Sequence, residues 1–333
     1  PPPPPGISYS NVIEWGESDH SWTDDSDVSI NSWHTLSANR NLHSLTIYHG
    51  GGVVVNSPYR LTIGAGGITV YASNPESYIL GTGFLTSSEN FLDIWLRSNR
   101  GVVDHVRIDS VISDNGANKV GLRIRGAEHR NWVVALLGGN KSNTFTGPVE
   151  VSGRYNVLSL NKSNGAIAIG GDIFINDHAK LTTWGTRQIE RNSTVRLRDS
   201  TFQFADANII KEESFHKLVV EGTSVLLFKL GFSDKRFLYL DDLSIDKGAE
   251  LDVQGWVEGT HFFLVRKTSR NLEDALNKIK FKGYDPSKIH LEDYSDEYWM
   301  INGAPEPATY GAGLMLGVLG LVCYRRRSVT ASI

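Results

Sequence analysis

Short apolar alternations dominate the chain from Leu45 onward, and glycine or asparagine separates most of them. In Leu45-Thr46-Ile47-Tyr48 and Ile68-Thr69-Val70-Tyr71, every second residue is apolar, which is typical of a strand that buries one face. Similar runs recur about every ten residues as far as Leu218-Val219-Val220. Since successive side chains of a strand point to opposite faces, these runs predict an all-β protein.

Two architectures are built from short alternating strands, the β-sandwich and the β-solenoid, and periodicity alone does not distinguish them. The predicted strands are shorter than those of most sandwiches. Asparagines recur where the corners of a solenoid would lie, at Asn140, Asn143, Asn161 and Asn164. We therefore expect a right-handed parallel β-helix over residues 7–301, in which each turn stacks on the preceding one.

The two ends of this body depart from the strand pattern. Residues 1–6 form a proline-rich spacer, and Trp22 and Trp33 are expected to plug the first turn of the solenoid. Residues 271–279 carry apolar side chains at helical spacing, with Asn271 placed to cap the first amides. They predict one short helix that covers the C-terminal end.

The last segment of the chain predicts a membrane span. Residues 308–324 are apolar and uncharged, and the arginine cluster Arg325, Arg326 and Arg327 follows them. As a transmembrane helix this stretch would reach about 25 Å, slightly less than a hydrocarbon core of about 30 Å. Arginines are costly to move through lipid, so we expect them on the cytoplasmic side and the body on the other side.

Immediately before the apolar stretch stand Pro305, Glu306 and Pro307. The order of tripeptide, span and basic cluster over residues 302–333 resembles the sorting signal of the bacterial PEP-CTERM family. This resemblance implies recognition by an exosortase, a membrane-embedded transpeptidase that cuts near the tripeptide. It also implies a protein that is exported, anchored in the bacterial membrane before processing, and then located at the cell surface or in the extracellular matrix. We expect that a signal peptide lay upstream of Pro1.

A second resemblance lies within the body. Leu136-Leu137-Gly138-Gly139-Asn140 is followed by Asn143-Thr144-Phe145-Thr146-Gly147 and then by the strand Val149-Glu150-Val151. Residues 136–170 in this way resemble one copy of the autotransporter-associated β-strand repeat. The resemblance implies an exported β-helical protein.

Composition limits the partners and the kinds of functional site that the chain can have. The net charge of −4 over 333 residues does not favour nucleic acid as a partner. The single cysteine, Cys323, lies in the apolar span, so the body has neither a disulfide nor a thiolate nucleophile. The 10 histidines lack the spacing of a zinc site, and no phosphate-binding or dinucleotide-binding motif occurs. We predict no catalytic residue set, no metal and no cofactor.

Two acidic clusters are nevertheless candidates for chemistry. Asp24, Asp25 and Asp27 could hold calcium, but they lack the remaining features of an EF-hand loop, and a solvated loop is the alternative. Asp241 and Asp242 are adjacent, so in a regular strand they would point to opposite faces and could not act on one substrate. Only a turn at this position would bring them together.

The leading functional hypothesis is a non-enzymatic surface or extracellular-matrix solenoid with a structural or adhesive role. The alternative is a carbohydrate-active enzyme, a polysaccharide lyase or hydrolase. In that enzyme Trp95, Trp184 and Trp256 would stack on sugar rings. A third hypothesis is adhesion to exopolysaccharide without turnover.

Overall fold

The described part of the chain forms an all-β solenoid, which confirms that the protein is all-β and that its strands stack as a solenoid and not as a sandwich. The structure is a computed structural model, and it describes residues 12–13, 19–48, 50–72, 76–98, 104–126, 132–205, 211–229, 235–270 and 272–303. The predicted spacer, the Pro-Glu-Pro motif, the apolar span and the arginine cluster lie outside these ranges. Among the residues described, no helix has both the length and the apolar character needed to cross a membrane.

The strands of the first half are β1 (Val12–Ile13), β2 (Ser26–Ile30), β3 (Trp33–Thr35), β4 (Arg40–Tyr48), β5 (Gly52–Val54), β6 (Arg60–Ala72), β7 (Ser77–Leu80), β8 (Phe84–Ser87), β9 (Phe91–Ser98), β10 (Asp104–Ile108), β11 (Val111–Ile112), β12 (Gly121–Gly126), β13 (Val133–Leu137) and β14 (Val149–Val151). Those of the second half are β15 (Asn156–Leu160), β16 (Ile173–Ile175), β17 (Lys180–Thr183), β18 (Thr194–Arg198), β19 (Thr201–Phe204), β20 (Lys211–Glu221), β21 (Thr223–Phe228), β22 (Arg236–Ile245), β23 (Glu250–Gln254), β24 (His261–Arg266), β25 (Ile279–Phe281), β26 (His290–Asp293) and β27 (Tyr298–Asn302). Within the described ranges, one α-helix, α1 (Leu272–Leu276), and two 3₁₀ turns, Asp19–Ser21 and Pro286–Lys288, complete the elements.

The chain alternates between two sheets as it coils. Among the described residues, sheet A has 16 strands and contains β2, β4, β6, β9 and then each even-numbered strand from β12 to β24. Over the same residues, sheet B has 11 strands and contains β3, β5, β7, β10 and then each odd-numbered strand from β13 to β25. Apart from the final strands of sheet A, neighbouring strands within these sheets are parallel, because each belongs to the next turn of the same coil.

Several turns have a third face, which forms where long strands of sheet A bend. In β6, residues 60–63 pair with β8, whereas residues 68–72 pair with β9. In β20 the pairing with β22 skips His216, which lies at the bend and is exposed. One long strand therefore serves two sides of the coil.

The interior is built from stacked columns of apolar side chains. Residues in register along sheet A form one column through successive turns: Val28, Leu45, Ile68, Ile94, Ile124, Val151, Ile175, Leu197, Val220 and Ile245. All of them are buried. Full burial of one such side chain contributes about 1.5 to 3 kcal/mol, and each turn relies on its neighbours to provide that burial.

The motif that resembles the β-strand repeat forms one corner of this stack. Asn143 is buried, its Oδ1 accepts from the Ile112 amide at 3.0 Å, and its Nδ2 donates to the Ala168 carbonyl at 2.8 Å. It thereby links the preceding turn to the following one. Phe145 fills the interior, and a Cβ added at Gly147 would lie 2.5 Å from Gly121 N. This packing explains why the corner needs asparagine, an apolar residue and glycine in that order.

The C-terminal end closes with reversed strands. Strand β27 pairs with β24 in the antiparallel direction, and β26 pairs with β27 in the same way. The helix α1 packs against the core through buried Leu272 and Ala275. The predicted helix was too long, because the chain turns after Leu276 and Ile279 begins β25, where it pairs with Leu251.

At the N-terminal end, only one of the two predicted plugs is confirmed. Trp22 is buried in the core, with its ring 5.4 Å from that of His34. Trp33 is 51% exposed and stacks on Tyr78 at 5.2 Å. The prediction for Trp33 was wrong because β3 buries its middle residue, His34, and turns Trp33 outward.

We expect Asn143→Ala to destabilise the solenoid by about 2 kcal/mol or more, because it leaves the Ile112 amide and the Ala168 carbonyl buried without a partner. Chemical denaturation followed by circular dichroism measures the change in the free energy of unfolding. Asn140→Ala is the matched control, since Asn140 is exposed in the same segment. Equal stability of the two variants would contradict the bridging role of Asn143.

Candidate functional site

The outward face of sheet B carries two rows of side chains that run across successive turns. In one row His105, Val134, Val157, Lys180 and Thr201 are in register. In the other row the residues in register are Arg107, Leu136, Ser159, Thr182 and Gln203. These positions face outward because their neighbours along each strand, such as Ala135 and Leu158, fill the core.

A groove follows these rows and has a volume of about 400 Å³. We call it the sheet B groove, and its lining consists of Glu76, His105, Trp132, Val134, Leu136, Val157, Ser159, Asn161, Lys180, Thr182, Trp184 and Gln203. A second depression of about 280 Å³ adjoins it at Trp132 and includes Arg154, Tyr155 and His178. The floor of the groove combines apolar side chains with hydroxyl and amide groups, which is a suitable lining for a ligand that is partly apolar and partly polar.

Two tryptophans lie at opposite ends of the strands that form the floor. Trp132 immediately precedes β13 and is 37% exposed, while Trp184 immediately follows β17 and is 39% exposed. The ring of Tyr155 meets that of Trp132 edge to face at 5.5 Å, which fixes its orientation. Both indole rings therefore offer surface to a ligand in the groove.

Lys180 lies on the groove floor, and its Nζ is 4.2 Å from the centroid of the Trp132 ring. Burial, with Lys229 as a further cause, lowers the pKa of Lys180 below its ordinary value. Within the described ranges no carboxylate pairs with this ammonium group, whereas Lys217, Lys267, Lys278 and Lys280 each have an acidic partner. The groove thus presents a partly desolvated cation beside an aromatic face.

The structure does not bring the three predicted sugar-stacking tryptophans together. Trp184 lies in the groove, but Trp95 lies on sheet A, where the Arg125 guanidinium is 5.4 Å from its ring centroid. Trp256 is buried, with Phe281 edge to face at 5.0 Å, so it is not available to a sugar. The prediction for Trp256 was wrong because Gly255, at φ 67°, turns the chain so that the indole enters the core.

The adjacent acids Asp241 and Asp242 lie where β22 bends, and neither is buried although Leu240 and Leu243 beside them are. Each of these two carboxylates already pairs with a basic side chain. Asp241 lies 2.7 Å from Arg266 Nε, and Asp242 lies 2.8 Å from Lys217 Nζ. Burial opposes ionisation of Asp242, but hydrogen bonds from Lys217 and Ser269 outweigh it and lower its pKa. A carboxyl that stays ionised beside a lysine is not suited to act as a general acid.

The N-terminal acidic cluster does not converge on a common point. Asp24 and Asp25 are exposed in a turn, whereas Asp27 Oδ1 lies 2.7 Å from His43 Nδ1. In the part of the chain that the structure describes, no three histidine, cysteine, aspartate or glutamate side chains are arranged to hold a metal ion.

One carboxyl does have a pKa suited to proton transfer near neutral pH, but it is inaccessible. Burial raises the pKa of Glu213 to about 8 against the effect of its backbone hydrogen bonds. The backbone N–H of Gln188 donates to both carboxylate oxygens of Glu213, at 2.9 and 3.1 Å. Gln188 in turn bonds the backbone of Lys162, so that these side chains form a polar column inside the solenoid. Since Glu213 is 0% exposed, no substrate can reach it.

Ion pairs cover much of the outward face of sheet A. Arg123 lies between Glu150, at 2.8 Å, and Asp93, at 3.4 Å, and its guanidinium lies 3.8 Å from the centroid of the Phe91 ring. Glu221 likewise pairs with Arg196 and Arg198 on neighbouring positions of β18. Charged groups that satisfy one another in this way leave less for a ligand than the sheet B groove does.

Sequence reasoning missed Trp132 and Lys180. Trp132 precedes the segment that resembles the repeat, and Lys180 begins a strand whose alternate residues Leu181 and Thr183 are 0% exposed. The alternation of β17 could have placed Lys180 outward, but only the register between β13, β15 and β17 places it beside Trp132.

No protein-family model, curated protein or solved structure matches the chain. The chemistry of the site therefore rests on its own residues.

His261 provides a test of the interior next to Trp256. Its Nδ1 accepts from the Val257 amide at 3.0 Å, and its ring stacks on Phe228 at 4.9 Å. Burial and the charge of Arg236 lower the pKa of His261 from 6.5 to about 4. The neutral ring therefore stabilises the fold above pH 6.5, and this stability is lost as the pH falls towards 4.

We expect unfolding measurements between pH 7 and pH 4 to show a loss on the order of 3 kcal/mol from His261 alone. The variant His261→Phe should have a flatter pH dependence over this window, whatever its stability at neutral pH. His290→Gln is the control because His290 is exposed. The same slope in His261→Phe and the unmodified protein would show that His261 does not titrate in this way.

Proposed function

We propose that the chain is an exported surface or extracellular-matrix solenoid with a structural or adhesive role, which an exosortase sorts through residues 302–333. The observation that carries the proposal is the continuous interior column from Val28 to Ile245. A stack of this kind extends by adding similar turns, so it holds its outward faces at a fixed spacing over its whole length. That property suits a protein that acts as a spacer or that displays a binding surface.

The state of the acids that are candidates for catalysis supports the non-enzymatic role over the lyase or hydrolase alternative. Glycoside hydrolysis generally needs two carboxyl groups about 5 to 9.5 Å apart on the two sides of a bond. Here the adjacent acids Asp241 and Asp242 are neutralised by cations, and the carboxyl with a raised pKa, Glu213, is buried.

Two finer features belong to the same proposal. The coil would be right-handed, because crossovers between parallel strands of one sheet are right-handed in nearly all proteins. Residues 308–324 would form the transmembrane helix that holds the chain until Pro305, Glu306 and Pro307 are recognised, with Arg325, Arg326 and Arg327 as the stop-transfer cluster.

Intact-mass analysis of the full chain, expressed in a bacterium that carries an exosortase, tests the sorting step. We expect the surface-retained protein to lack the residues that follow the Pro-Glu-Pro motif. Replacement of Arg325, Arg326 and Arg327 by alanine, or Glu306→Ala, should leave the chain uncut.

Glu297→Ala is the matched control, since Glu297 is an exposed acid shortly before the motif and should be processed normally. An uncut chain at the surface in the unmodified protein would make the tail a simple anchor. A chain retained in the cytoplasm would overturn the proposed export.

A further inference from the structure

We propose that the sheet B groove binds an acidic polysaccharide, with a sugar carboxylate paired to Lys180 and sugar rings stacked on Trp132 and Trp184. The proposal deepens the adhesive role. It rests on the proposed function only for the location, outside the cell, at which the protein meets the polymer. Its basis is the juxtaposition, on a single sheet face, of two exposed indoles and one ammonium group that has no acidic partner among the described residues.

The length of the site favours a polymer over a single sugar. Trp132 lies one position before Val133, which is in register with Asn156, and Trp184 follows Thr183, which is in register with Leu160. The two tryptophans are therefore six ladder positions apart along the strands and two strands apart across the sheet. At about 3.3 Å per residue and about 4.8 Å per strand, they are separated by roughly 20 Å. A ligand that contacts both must be extended.

The lining between the tryptophans fits the two chemical faces of a sugar. Val134, Leu136 and Val157 provide an apolar floor, while hydroxyl and amide groups of Ser159, Asn161, Thr182 and Gln203 lie beside it. Pyranose rings have apolar C–H faces and polar edges, so they suit a groove in which both kinds of group alternate.

The charge of Lys180 selects an acidic chain over a neutral one. This cation is held near Trp132, and the neighbouring Lys229 adds positive potential. The acidic residue that lines the groove, Glu76, lies 3.8 Å from His105 at another position of the lining. A neutral polymer would cover Lys180 without compensating its charge, whereas a uronate carboxylate would form a charge-assisted hydrogen bond with it.

Isothermal titration of the full chain with galacturonate oligomers tests the proposal, with cellulose-derived oligomers as the neutral comparison. Lys180→Gln should weaken binding of the galacturonate oligomers about tenfold, the scale of one charge-assisted hydrogen bond. Trp184→Ala should weaken it about fivefold through the lost stacking. Lys180→Arg, which keeps the charge, should retain most of the affinity.

Two controls are matched in chemistry and lie outside the groove. Trp33→Ala removes an exposed tryptophan of the same sheet, and Lys280→Gln removes an exposed lysine that pairs with Glu250. Both should bind as the unmodified chain does. Thermal unfolding of every variant identifies any loss of fold, and since Lys180 and Trp184 point outward, we expect unchanged midpoints.

Equal affinity for acidic and neutral oligomers would overturn the role of Lys180, and unchanged binding by Trp184→Ala would overturn the site itself. Absence of binding to galacturonate oligomers would also refute the proposal. Shortened oligomers after incubation would overturn the non-enzymatic role instead. Because binding is measured on purified protein and sorting on cells, failure of one leaves the other open to its own test.

Discussion

The fold depends on the parallel backbone ladders that join each turn of the coil to the next. No single turn contains enough apolar surface to form a core, since its inward side chains are covered only by the turns on either side. The ladders keep these side chains in register, so that Leu45, Ile68 and Ile94 stack directly along sheet A. Every other feature of the molecule, including the groove, is positioned by this repeated alignment.

The same constraint divides the surface into faces with different chemistry. Inward positions must stay apolar or be satisfied by buried bonds, as Asn143 and Gln188 are. Outward positions have no such requirement. On sheet A they contain ion pairs such as those of Arg123, and on sheet B they contain the apolar and aromatic residues of the groove. A rigid stack with variable outward residues is a scaffold that can gain a binding surface without loss of its core.

Much of this architecture could be predicted from sequence because it depends on local alternation. The period of two predicted the strands, and asparagine at a corner position predicted the turn at Asn143. Interactions between turns could not be predicted, since they depend on register. The row that contains Val134, Val157 and Lys180 combines residues from three turns, and no spacing in the sequence shows that they align.

Departures from regular strands limit what alternation can predict. The bend in β22 places both Asp241 and Asp242 on the outside, whereas a regular strand would have separated them. Gly255 redirects Trp256 into the core, where alternation gives no guidance because the residue follows a turn. The burial of a tryptophan in such a stack therefore depends on the turn before it as much as on its hydrophobicity.

The reversal of strand direction at β27 also determines how copies of the chain behave towards each other. A parallel stack with an open last turn presents unpaired backbone groups that a second copy could extend, as growing fibrils do. Here sheet A ends instead in β26, a short strand with exposed His290, Glu292 and Asp293. Charged side chains on a short antiparallel edge oppose further pairing, so at this edge growth stops within one chain. The C-terminal edge of sheet A is thereby closed to the addition of a further parallel turn.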